Sequence, residues 1–307
     1  MDNIIEIKNL RKTFGEIVAV DNISFSVKKG SFFAFLGLNG AGKSTTINMI
    51  CGVYKKDNGE IFIDGKNIDD SFEQIKPLLG VVYQDSVLDK QLSVKDNLIS
   101  RASLYGIAKE QFYKKLDELD RLFKIKELLD RPLGKLSGGQ RRRVDIVRAV
   151  IHSPKILILD EPTTGLDPKT RKMVWNAVDA LKKENNLTIF LTTHYMEEVS
   201  DADNVIILDK GKIVAEGTPL ELKNKYTGDF IFLYNISEDE VKALNLPYKK
   251  LPDCFKIEVD NTSQATNLIL KHHSIFKDYE ITKGKMDDVF LAVTGKNFSQ
   301  GENNEQN

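Results

Sequence analysis

The chain has 307 residues, with 44 basic and 45 acidic side chains and a formal net charge of -1. The balanced charge argues against a dedicated nucleic-acid binder, which carries a basic excess. No apolar run reaches the roughly 18 residues needed to cross a bilayer, and the start, MDNIIEIKNL, lacks the basic and apolar segments of a secretion signal. Cys51 and Cys254 stand far apart without metal-ligand spacing, so free thiols in a cytosolic setting are expected.

From residue 1 to about 226, short β-branched or aromatic runs alternate with helical stretches, the pattern of an α/β protein. The runs 31–36, 80–83, 155–159 and 187–193 read as buried strands. Each ends at a polar residue or glycine loop: the loop from Gly37, then Gln84, Asp160 and His194. In open α/β sheets ligands sit beyond the carboxyl ends of the strands, so one site is expected to collect all four.

The first loop, Gly37-Leu38-Asn39-Gly40-Ala41-Gly42-Lys43-Ser44, fits G-x-x-x-x-G-K-[ST]. Its glycines allow positive φ, and successive N–H groups then point inward as an anion nest. The helix expected from Lys43 to Ile50 aims its positive end at the same point. Gly37, Asn39, Gly40, Ala41, Gly42, Lys43, Ser44 and Thr45 are therefore the expected phosphate-contacting positions, with Ser44 available to a magnesium ion. Upstream, Phe14 precedes Gly15 in a short loop and offers a ring for stacking on a base.

Beyond Gln84 the pattern changes. Residues 93–98 and 112–129 are charged and helix-periodic, which predicts a helical insertion over about 85–135. Gln84 itself is expected to contact magnesium or an attacking water. Next, Leu136-Ser137-Gly138-Gly139-Gln140 precedes a helix reading RRRVDIVRAVIH. Ser137 is an N-cap candidate, and the glycines leave N–H groups bare at the positive helix end. A chain with two anion nests has either two ligands or ligands shared between two chains.

Asp160 and Glu161 close the third strand. Asp160 is suited to hold Mg²⁺ by its oxygens, and Glu161 is suited to act as general base toward water. His194 is placed to donate a hydrogen bond where charge shifts in phosphoryl transfer. His152, His272 and His273 lack such a context and read as packing or surface residues.

Taken in order, GLNGAGKST, Gln84, LSGGQ, ILILDEP, GLD and His194 resemble the P-loop, Q-loop, signature, Walker B with its glutamate, D-loop and switch histidine of ATP-binding-cassette proteins. The resemblance runs from residue 4 to about 225, and Phe14 matches the family's adenine-stacking position. It implies a P-loop NTPase cassette, α/β with a mixed, mainly parallel sheet and helices. It also implies that ATP with Mg²⁺ is sandwiched head to tail between two ATPase subunits. One subunit's P-loop would face the other's Ser137, Gly138, Gly139 and Gln140, with Asp167 crossing the interface to orient Glu161.

The insertion segment LSVKDNLISRASLYGI and residues 286–295, MDDVFLAVTG, resemble those of the drug-resistance, sodium-export and bacteriocin-immunity ATPases, the ABC-2 exporter type. That implies separate integral membrane permease subunits and a peripheral position on the cytoplasmic face of the membrane. A cassette ATPase that signals through a membrane partner, or a soluble one without transport, are the alternatives. The expected organisation is a cassette over 1–227, a small α/β unit over 228–296, and a polar, disordered tail over 297–307.

Overall fold

The computed structural model describes residues 2–295, and the tail expected at 297–307 lies outside them. The chain opens with a long antiparallel hairpin, β1 (Asn3–Phe14) and β2 (Ile17–Lys28). Alternate residues of β2, Ile23, Phe25 and Val27, turn inward, as the two-residue period of a one-face-buried strand requires. β3 (Phe32–Leu36) then enters a second sheet and delivers the chain into α1 (Lys43–Ile50). β4 (Asn58–Ile63) and the two-residue β5 (Lys66–Asn67) return to the first sheet, whose order is β2-β1-β4-β5.

After α2 (Ile68–Ile75) comes β6 (Leu79–Val82), followed by the helical segment α3 (Val94–Leu104) and α4 (Lys109–Phe123). Phe112, Leu116, Leu119 and Phe123 make the buried stripe of α4. The helical periodicity predicted a helix over 112–129, but α4 stops at Phe123. Lys124 takes a left-handed conformation (φ 47°), and the Asp120 carboxylate accepts from the N–H groups of Ile125 (2.8 Å) and Lys126 (2.7 Å). A side chain that captures those donors ends the helix.

α5 (Gly138–Val150), β7 (Ile156–Asp160), α6 (Pro168–Asn185), β8 (Thr188–Thr193) and β9 (Asn204–Asp209) complete the first compact unit. β6, β7, β8, β3 and β9 lie side by side in that order and are parallel. Every residue of β7 and β8 is buried, so neither strand needs polar alternation. The hairpin sheet packs on this one through a phenylalanine cluster. Phe25 stacks on Phe33 at 5.4 Å, and Phe190 lies 5.0 Å from Phe33 and 5.1 Å from Phe35.

The chain passes into its second unit within β10 (Lys212–Gly217), the division falling between Ile213 and Val214. This is ahead of the junction expected at 227/228, because α7 (Pro219–Tyr226) packs on α10 (Met286–Thr294). Between them run β11 (Asp229–Tyr234), α8 (Glu238–Lys242), β12 (Tyr248–Lys250), β13 (Cys254–Val259), α9 (Thr262–Lys271) and β14 (Tyr279–Lys283). The sheet order β12-β13-β11-β14 is that of a split βαβ arrangement. Ile231, Leu233, Phe255 and Ile257 bury one face against Val241, Leu244 and Ala265.

Phe190→Ala would empty the centre of the phenylalanine cluster. A loss of about 3–5 kcal/mol in unfolding free energy is expected from urea titration.

Candidate functional site

Because β3, β6, β7 and β8 are parallel, their carboxyl ends reach one edge of the sheet. Leu36 lies beside Thr193, and Asp160 beside Thr192. The loop leaving β3 is fixed at once, its Gly37 N–H donating to Thr193 O at 3.3 Å. At Gly42, φ is 104° and an added Cβ would sit 2.5 Å from Ala19 O, so both conformation and space demand glycine there.

Lys43 is buried, and its ammonium donates to Gly37 O (2.8 Å) and Leu38 O (3.2 Å). It also pairs with Glu161 Oε1 at 3.3 Å. Burial pulls the Lys43 pKa down, and the carboxylates of Glu161 and Asp160 only partly restore it. Ser44 Oγ donates to Asp160 Oδ1 at 3.2 Å, and Thr192 Oγ1 donates to the same oxygen. Burial raises the Asp160 pKa, opposed by those two hydroxyls.

Glu161 stands in a left-handed backbone position (φ 46°), uncommon for a residue with a side chain. Its N–H donates to Thr192 O at 3.0 Å. Its Oε2 lies 3.2 Å from His194 Nδ1 and accepts from Thr164 Oγ1 at 3.4 Å. Burial alone would push the Glu161 pKa up, but His194 and Lys43 outweigh it and hold it at about 2. Lys43, Ser44, Asp160, Glu161 and His194 therefore form one contact cluster.

Gln84 joins that cluster through its backbone. Arg142, buried on α5, donates to Tyr83 O (2.7 Å), Gln84 O (2.9 Å) and Glu161 O (3.5 Å), while the Gln84 side chain is exposed. Phe14 ends β1 with its ring 44% exposed, Tyr54 edge-on at 5.4 Å and the Lys12 ammonium 5.3 Å from its centroid. The ring is thus presented to solvent rather than used as core. His152 is a packing residue: it stacks on Tyr105 and bonds Leu79 O, and burial brings its pKa down to about 4.

Ser137, Gly138, Gly139, Gln140 and Asp167 make a second cluster. Ser137 and Gln140 cap α5 reciprocally, with Gln140 N–H on Ser137 Oγ (3.3 Å) and Ser137 N–H on Gln140 Oε1 (3.1 Å). Asp167 caps α6, accepting from Thr170 N–H (3.0 Å) and Thr170 Oγ1 (2.5 Å), which lowers its pKa. A Cβ at Gly139 would sit 2.4 Å from Thr170 Cγ2, so this glycine is where α5 approaches α6. At exposed Gly138 an added Cβ would meet only Leu166 Cδ2, at an ordinary contact distance of 3.9 Å.

Sequence reasoning missed Arg142 and Thr192. Arg142 lay in a run, RRR, that reads as a solvated helix face. A threonine pair ending an apolar strand was the available signal for Thr192.

A lysine-bearing glycine loop, a hydroxyl–carboxylate pair and a glutamate–histidine pair at parallel strand ends define a P-loop nucleotide-binding ATPase. Residues 20–164 match the ABC transporter family. The chain is 34% identical to a Nod factor export ATP-binding protein I of Cupriavidus metallidurans, over 96% of this chain and 99% of that one. It is 37% identical to the linearmycin resistance ATP-binding protein LnrL of Bacillus subtilis, over 95% and 99%. A solved dimeric bacterial ABC transporter cassette matches with a TM-score of 0.64 and 29% identity, over 70% of this chain and 98% of that one. The chain belongs to the ABC transporter family, as an ATP-binding cassette subunit.

Arg142→Ala would leave buried carbonyls of the Gln84 loop and the Glu161 turn without their donor. Unfolding free energy is expected to drop by about 1–3 kcal/mol, measured by chemical denaturation.

Proposed function

We propose that this ATPase hydrolyses Mg-ATP between two copies of the chain and drives an exporter whose membrane-spanning subunits are separate proteins. The contact cluster of Lys43 with Glu161, Glu161 with His194 and Ser44 with Asp160 carries the catalytic part of this reading. The exporter names of the relatives support the coupling. No helix among the described residues is long and apolar enough to cross a membrane, which fits a peripheral subunit held by permeases at the cytoplasmic face.

The Ser44 hydroxyl and Asp160 carboxylate converge as hard oxygen donors, the set that magnesium takes. The Gln84 side chain is the further candidate ligand. When bound, the ion neutralises charge on the β- and γ-phosphate oxygens.

In the proposed reaction Lys43 exchanges its carbonyl and Glu161 contacts for phosphate oxygens. Glu161, released from that ammonium, takes a proton from water as the water oxygen bonds to the γ-phosphorus. The bond from that phosphorus to the β–γ bridging oxygen breaks, leaving ADP and phosphate. His194 donates a hydrogen bond to a γ-phosphate oxygen. The backbone from Gly37 to Thr45, with Asn39, Gly40, Ala41 and Gly42, cradles the phosphates, and Phe14 stacks on adenine. The second copy's Ser137, Gly138, Gly139 and Gln140 close the other side, with Asp167 beside them. The solved dimeric cassette supports that pairing. The Gln84 loop, tied by Arg142 to the Glu161 turn, passes closure on to α3 and α4, the surface proposed to seat the permease.

Glu161→Gln should still bind ATP while turnover falls by about 10²–10⁴-fold, and it should accumulate as an ATP-bound dimer in size-exclusion chromatography. Normal turnover would remove Glu161 as base. Ser137→Arg should abolish turnover while equilibrium nucleotide binding is kept; normal hydrolysis would rule out the shared site.

A further inference from the structure

One buried carboxylate close to the site takes no part in the chemistry above. Glu198 lies in a short turn (Met196–Val199) after β8 and is 7% exposed. Its Oε1 accepts from the Thr163 hydroxyl and from Trp175 Nε1 at 3.2 Å. Its Oε2 accepts from Thr193 Oγ1 at 2.5 Å. No ion pair to Glu198 is found among the described residues, and the donors that meet its carboxyl group, two threonine hydroxyls and an indole N–H, are all neutral. Burying a carboxyl group without an ionic partner is unfavourable even after relaxation, and packing alone would be served better by an apolar side chain.

The donors explain the placement. Thr163 and Thr193 are fully buried. Thr163 stands two residues after Glu161, and Thr193 immediately precedes His194. Thr193 Oγ1 also accepts from Tyr195 N–H at 2.9 Å, so His194 is bracketed on both sides. Trp175 belongs to α6, the helix that Asp167 caps. One carboxylate thus ties the loop carrying the base, the turn carrying the histidine and the helix that starts at Asp167.

We propose that Glu198 is a positioning residue for ATP hydrolysis, fixing Glu161 and His194 relative to each other and to α6. The inference rests on the roles assigned above to Glu161 and His194. Displacing a reacting group by about 1 Å costs on the order of 10²-fold in rate.

Glu198→Ala in the full-length chain is therefore expected to lower kcat about 30–100-fold while KM for ATP changes less than about threefold. Glu198→Gln keeps a carbonyl acceptor and is expected to recover most of that loss. Combining Glu198→Ala with His194→Ala should cost little more than His194→Ala alone, since both act on one unit. Trp175 is the only tryptophan in the chain, so its emission reads the link directly. Saturating ATP with magnesium should shift that emission in Glu161→Gln and fail to shift it in Glu161→Gln with Glu198→Ala, although both bind nucleotide. Should Glu198→Ala not fold, Thr193→Val removes a single donor and is expected to show the same split of kcat from KM.

Wild-type kcat in Glu198→Ala, or multiplying losses in the double variant, would overturn the proposal while the site assignment stands. Unimpaired turnover in both Glu161→Gln and His194→Ala would overturn the assignment itself, and this inference with it.

Discussion

The site depends on how a buried ammonium is kept charged. Lys43 sits where water cannot solvate it, and two loop carbonyls and the Glu161 carboxylate take the place of water. An uncompensated charge there would be intolerable, so the loop from Gly37 and the turn at Glu161 are held in mutual reach. A triphosphate offers the same oxygens with more negative charge. In the proposed reaction nucleotide binding becomes an exchange of partners around one cation, and the carboxylate freed by it is the proposed base.

α5 distributes that arrangement through the cassette. Arg142 reaches the backbone at Gln84 and Glu161, Arg148 bonds Val81 O in β6, and Arg143 donates to Phe123 O (2.8 Å) and Lys124 O (3.0 Å) at the end of α4. Their planar forks let buried guanidiniums satisfy several carbonyls at once. The helix that begins at Ser137 therefore ties the central sheet to the helical segment.

Much of this was legible in the residues. The apolar runs ending at Gly37, Gln84, Asp160 and His194 are strand ends on one sheet edge, because a parallel strand buried on both faces has no other composition open to it. Lys43 and Ser44 stand out by the G-x-x-x-x-G-K-[ST] spacing, and Asp160, Glu161 and His194 by closing buried strands, which is why the contact cluster they form was visible in the residues. What escaped lay in long-range pairing. Arg142 and Glu198 look like solvated charges until the chain folds back on them. Lys124 ends α4 because of Asp120, an acid whose use as a stop has no signature in a charged helix. β12 is three residues long, two of them lysines, and only its neighbour β13 makes it a strand. The division at Ile213 follows from α7 meeting α10, a partner far along the chain.

The start of α5 has a consequence for recognition. Ser137 and Gln140 satisfy each other before any ligand arrives, and Gly139 is wedged on Thr170. This surface has already surrendered its conformational freedom during folding. An anion meeting the bare N–H groups there encounters a rigid socket, and little entropy remains to be lost on contact. In the proposed dimer such a docking face favours fast, reversible association, as separation after each turnover requires.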